Sequence, residues 1–187
     1  MQRVQDILDF WFLPEVHAEY GQPRKAWFEK NPEFDAEIRE KFLADFEQAV
    51  EGRFLSWTDR AKGSLALILL FDQFTRNMFR DDPRAFSADG KAREIARHML
   101  RSGQYEELVP FMRQFAALPF EHSEDLADQK RSMQLFTAMN DAELIRYAKA
   151  HYDIIEKFGR FPHRNKTLGR TSTSTEEAFL KEPNSSF

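Results

Sequence analysis

The chain is 187 residues long, carries 27 basic against 31 acidic side chains and contains no cysteine. That length reads as a single domain, residues 1–187, large enough to bury its own core, and the missing cysteines exclude disulfides and thiolate metal sites. A formal charge of -4 gives no general attraction to nucleic acid or anionic membrane, so neither is expected as a partner.

Apolar residues at 4, 7, 8, 11 and 12 follow the period of a short amphipathic helix closed by Pro14. Trp27 and Phe28 come on a short segment after Pro23. Asn31-Pro32 opens a long helix, with Asn as cap and Pro at the first helical position, running to about Val50 ahead of Gly52. Within it Phe34, Ile38, Phe42 and Phe46 step by four. A central helix is expected from roughly Arg60 to Arg80, ended by Asp81-Asp82-Pro83. Ser87 is read as the cap of the next helix, which passes through Ile95 and Met99 to Gly103. A shorter helix from near Gln104 stops at Leu118, before Pro119, and another runs from its cap Ser123 to about Met139. Asn140-Asp141-Ala142-Glu143 has the pattern of a capping box opening a helix that ends at Phe158-Gly159. A last short helix is capped within Thr171–Thr175 and reaches about Leu180.

The fold class is therefore all-α: about eight to ten antiparallel helices with short connections. Phe (19) outnumbers Leu (16), and Val and Ile together number 11, a composition that argues for an aromatic core and against much β-sheet. The two long helices near the C-terminus span about 36 residues together, close to a helical-repeat period. The longest apolar run, Leu65 to Phe71, is too short to cross a membrane. The N-terminus shows no basic-then-apolar leader pattern, since Gln5, Asp6 and Asp9 interrupt it. A soluble, cytoplasmic protein is expected.

Three polar clusters stand out on this oily frame. On the central helix, at about 100° per residue, Asp72, Gln73, Arg76, Asn77 and Arg80 fall within an arc of about 140°. Leu67, Phe71, Phe74 and Met78 keep the opposite side apolar. Two guanidiniums beside an amide pair suit a carboxylate or phosphate held bidentately; the ordinary reading is an i,i+4 pair and ties between helices. The second cluster, Pro119-Phe120-Glu121-His122-Ser123-Glu124-Asp125, suits a hard or borderline divalent metal, or acid–base chemistry by His122 with Glu121 or Glu124. Its ordinary reading is a capped helix start whose acidic residues face the helix dipole. One histidine with no second at ligand spacing assigns no metal ligands. The third cluster, Gly159-Arg160-Phe161-Pro162-His163-Arg164-Asn165-Lys166 and on to Arg170, is a stiff basic loop suited to an anion, whether a ligand phosphate or the acidic second cluster. Its ordinary reading is charge compensation at a helix C-terminus. His151, one helix earlier, is read as a satisfied helix-face histidine. There is no G-x-S-x-G, no glycine-rich phosphate loop and no H-E-x-x-H, and seven glycines in all leave little room for a nucleotide cradle.

The motifs Asp-Phe-Trp-Phe at 9–12, Asp-Gln-Phe-Thr-Arg-Asn at 72–77, Pro-Arg-Ala-Phe at 83–86, Pro-Phe-Glu-His-Ser-Glu at 119–124 and Phe-Gly-Arg-Phe-Pro-His-Arg-Asn at 158–165 resemble a bacterial domain-of-unknown-function family, number 924. The resemblance covers nearly the whole chain and implies a tetratricopeptide-like helical array. Where that family usually has a proline, this chain has Thr75. The family implies no activity and no cofactor.

Three functions follow as expectations. The first is a polar pocket binding an anionic small molecule or a peptide terminus, with Arg76, Arg80, Arg160 and Arg164 for the anion, Asp72, Gln73 and Asn77 to orient it, Glu121 and His122 on the wall, and His163 among the ligand-binding residues. The second is an acid–base or metal-assisted enzyme in which Glu121, His122 and Glu124 are catalytic. The third is a protein-interaction module whose groove receives a helix or tail. No heptad seam specifies an oligomer.

Overall fold

The computed structural model describes residues 2–183 and Ser185. Among these residues the fold is all-helical, without a strand. The helices are α1 (Gln2–Phe12), α2 (Pro32–Val50), a central α3, α4 (Asp89–Ser102), α5 (Gln104–Glu107), α6 (Pro110–Glu121), α7 (Leu126–Met139), α8 (Ala142–Phe158) and α9 (Ser174–Phe179). The central rod α3 joins Ala61–Ile68, Leu69–Phe74 and Thr75–Met78 without a break, which makes nine helices in the range the sequence implied. None is long and apolar enough to cross a membrane.

Two compact units emerge, residues 1–80 with 84–119 and residues 81–83 with 120–187. The first is built around α3, in which Leu65 through Phe71 and Phe74 are all buried. Its rings form one network: Trp11 lies within 5.4–6.2 Å of Trp27, Phe34, Phe74 and Phe115, centroid to centroid. Ile38, Phe42 and Phe46 are the buried face of α2, as their spacing implied. Asn31 caps α2 by accepting from the N–H groups of Glu33 and Phe34, with Pro32 at the helix start. Gly63 is required: a Cβ there would lie 2.2 Å from the Trp57 carbonyl oxygen.

In the second unit α7 and α8 pack against each other across a two-residue turn. Asn140 ends α7 at φ 55°, so Asp141, and not an Asn140–Glu143 capping box, opens α8 by accepting from the N–H groups of Glu143 and Leu144. Gly159 closes α8 in the left-handed conformation at φ 69°. Ile154, Ile155 and Phe161 form its core with Phe158 and Phe179, and Thr173 with Glu176 makes a full capping box on α9.

Four further local expectations differ from the structure. The middle of α3, Leu69–Phe74, is π-helical, so a strict α-helical arc does not hold there. Thr75 Oγ1 donates to Phe71 O at 2.9 Å and to Asp72 O at 3.2 Å, and Arg76 Nη1 donates to Asp72 O at 2.6 Å. The segment from 104 breaks into α5 and α6, and α6 continues through Pro119 to Glu121, although an interior proline removes a ladder bond and crowds the carbonyl four residues earlier. Ser123 is not the cap of α7: Asp125 is, accepting from Ala127 and Asp128 N–H groups. Ser87 does not cap α4 either; its hydroxyl donates back to Arg84 O.

Candidate functional site

The first polar cluster lies in the unit built on α3. Asp72 is fully buried and Gln73 nearly so. Gln73 Nε2 donates to Asp72 Oδ2 at 2.5 Å. Arg76 grips Asp89 with both Nη atoms, at 2.9 and 3.0 Å, and lies 3.2 Å from Asp72 Oδ1. Asp35 accepts from Asn77 Nδ2 at 2.7 Å and from Arg80 Nε and Nη2 at 2.7 and 2.8 Å. The bidentate geometry that suits an exogenous carboxylate is thus realised with Asp35 and Asp89 of the chain itself. Neither partner was singled out from the sequence, because α2 and α4 meet α3 only in the folded chain.

The second and third clusters converge within the other unit. Phe161 N–H donates to Glu124 Oε1 at 2.8 Å, and Arg170 donates to both Glu124 oxygens at 2.8 and 2.9 Å. Burial pushes the Glu124 carboxyl up, but these donors outweigh it and hold it below the usual carboxylate range. Arg160 donates to both oxygens of Glu176, at 2.6 and 2.8 Å. With the Thr173 N–H at 2.7 Å, this brings the Glu176 carboxyl down to about 2.

The segment 121–123 is anchored by its backbone. Gln129, wholly buried, donates from Nε2 to Glu121 O at 2.6 Å and to Ser123 O at 2.7 Å. Arg164 Nη1 donates to His122 O at 3.0 Å. Three consecutive carbonyls at the end of α6 and just past it, those of Glu121, His122 and Ser123, are therefore tied down by side chains. The guanidinium of Arg164 also lies 4.4 Å from the centroid of the Phe161 ring.

Against this segment stands His151 of α8. Glu121 and His151 are each 4 % exposed, His122 is half-buried, and one ligand-type atom from each of the three lies within 4.8 Å of the other two. His151 Nδ1 is 2.9 Å from Tyr147 O and 3.5 Å from Glu121 Oε1. A carbonyl only accepts, so Nδ1 carries the proton and Nε2 holds the lone pair. Burial, with His122, Arg164 and His163 adding positive charge nearby, pushes the His151 pKa down to about 3. The ring is neutral near pH 7, and its approach to Glu121 is not an ion pair. His163 stacks obliquely near Phe161, centroids 5.6 Å apart.

Of the residues picked from the sequence, Glu121, His122, Glu124, Arg160, His163 and Arg164 belong to this unit, and Asp72, Gln73, Arg76, Asn77 and Arg80 to the other. His151, read from the sequence as a satisfied helix-face histidine, is not among them. Its signal was its place on the buried stripe of α8 with Ala148 and Ile155. A separate open groove of about 490 Å³ between α7 and α8 is lined by Lys130, Met133, Lys149 and Tyr152 among others. Its charged walls close on themselves through Lys149–Asp153 at 2.5 Å and Tyr152–Glu156 at 2.7 Å.

No curated protein matches the chain. Among solved structures, a protein of unknown function from Agrobacterium tumefaciens is 36% identical, with a TM-score of 0.88 over 96% of this chain and 97% of that one. A family model described as a bacterial protein of unknown function, DUF924, matches residues 7–184. Its span takes in α3, the segment 121–123, α8 and the basic loop alike, and the chain belongs to that family.

Proposed function

We propose that the protein acts on a small anionic molecule at the corner formed by Glu121, His122 and His151, with His122 and Glu121 handling a proton. Basic groups of the 160–164 segment, Arg164 and His163 foremost, favour the negative charge of the ligand. The single observation that supports this reading is the clustering of donor atoms from Glu121, His122 and His151 within 4.8 Å, beneath a segment that Arg164 pins at the His122 carbonyl. A carboxylate and two imidazoles gathered at one place are groups that acid–base chemistry can use. Arg76 and Arg80 are given no part in it, because their guanidiniums are engaged by Asp89 and Asp35.

The test is a thermal-shift series with inorganic phosphate, sugar phosphates and dicarboxylates on the wild type, His122→Gln and Arg80→Gln. A ligand at 100 times its dissociation constant stabilises by about 2.7 kcal/mol, and each kcal/mol raises the melting point of a chain this size by roughly 2–4 °C. The shift is expected to persist in Arg80→Gln and to vanish in His122→Gln. The reverse pattern moves the anion to the α3 unit and sinks this reading.

A further inference from the structure

We propose that Glu121, His122 and His151 bind one divalent transition-metal ion of the zinc class. This deepens the reading above and rests on the same corner, but it commits that corner to a cofactor. Three ligand-type atoms from two imidazoles and one carboxylate lie within 4.8 Å of one another. Ligands at about 2.0–2.2 Å from a tetrahedral ion stand roughly 3.4 Å apart, so a modest side-chain rotation closes the set. Glu121 and His151 are held in the interior, whereas His122 is half-buried and supplies both the adjustable ligand and the route of entry.

The surroundings are those of a prepared ligand set. His151 Nδ1 lies 2.9 Å from the Tyr147 carbonyl and 3.5 Å from Glu121 Oε1, and a backbone carbonyl holding one ring nitrogen is the outer contact typical of metal-bound histidine. The main chain carrying Glu121 and His122 is held at three successive carbonyls by Gln129 and Arg164, so little ordering remains to be done when an ion arrives. Two nitrogens and one carboxylate oxygen, in a chain with no thiolate, select zinc, cobalt, nickel or iron(II) over calcium or magnesium. Three protein ligands leave a coordination position open, as in catalytic rather than structural sites. The positive charge of Arg164 weakens the hold on a cation, and it also favours an anion in the open position.

The experiment is a cobalt(II) titration of chelator-treated protein, followed by visible absorption and by equilibrium dialysis, with zinc as competitor. The expected result is one cobalt ion per chain with a low-symmetry visible spectrum, displaced by zinc. Affinity should fall at least roughly 10- to 100-fold in His122→Gln and in His151→Gln. Because His151 is buried, His122→Gln is the deciding variant, and its melting curve establishes that it folds. A folded His122→Gln protein that binds cobalt as the wild type does, or a wild type without the one-per-chain spectrum, overturns the metal. Phosphate stabilisation of the chelated protein, measured alongside, separates the two ideas. If it persists and still depends on His122 while cobalt fails, the anion reading stands without the ion. If cobalt binds and no anion does, the ion stands without the substrate.

Discussion

His151 occupies a buried position on α8 that an aliphatic side chain would normally fill, between the turns of Ala148 and Ile155. Its proton count then depends on folding: the imidazole is neutral in the folded chain down to about pH 3, whereas unfolded it takes up a proton near pH 6.5. Between those values the unfolded state binds more protons, so stability rises with pH across this window and is lost as pH falls through it. The expected contribution is on the order of a few kcal/mol. Chemical denaturation of metal-free protein from pH 7 down to pH 4 measures it, and His151→Leu should flatten most of that slope. Glu176 works at a lower pH, because its carboxyl is held near 2 by Arg160 and the Thr173 N–H. Its stabilising contribution is present above the ordinary carboxylate range and disappears only as pH falls toward 2. Both residues show how little a titratable group's type reveals alone. A histidine was visible at 151, but its burial and its nearness to Glu121 depend on a segment 30 positions earlier in the chain.

Helix ends and helix interiors differed in how far local chemistry decided them. The caps at Asn31, Asp141 and Thr173 and the stop at Gly159 followed from residues adjacent in sequence, since a cap bonds to N–H groups two or three positions away. Asn31→Ala should cost only about 1 kcal/mol, read as a small loss in denaturation midpoint. Gly63→Ala should be far worse despite the better helix propensity of alanine. The added Cβ meets the Trp57 carbonyl at 2.2 Å, so a loss of at least about 3 kcal/mol is expected where propensity alone forecasts a gain. A more stable Gly63→Ala protein would mean that the turn at Trp57 yields freely. The π segment of α3 was not legible in the sequence, because Leu69–Phe74 has no local residue that demands it. The side chains of Thr75 and Arg76 donate to the carbonyls of Phe71 and Asp72 within it, and no proline is involved.

On the scale of the whole chain, the phenylalanine excess becomes the ring network around Trp11. Because Trp11 touches Trp27, Phe34, Phe74 and Phe115 and is completely buried, Trp11→Ala should cost about 3–5 kcal/mol. Thermal melting should fall by roughly 2–4 °C for each kcal/mol, and a drop of only a degree or two would show that the rings repack. The sequence by itself determined the helical class, most helix limits, the aromatic core and the polar character of residues 121–124 and 159–170. These are set by period, capping and composition, all of which act over a few residues. Only the tertiary structure decided that Arg76 and Arg80 close on Asp89 and Asp35, that Glu124 anchors the loop through Phe161 and Arg170, and that His151 joins Glu121 and His122. Each of those pairings spans 13 to 46 positions of chain, and a local pattern carries no record of which distant helix face will arrive opposite.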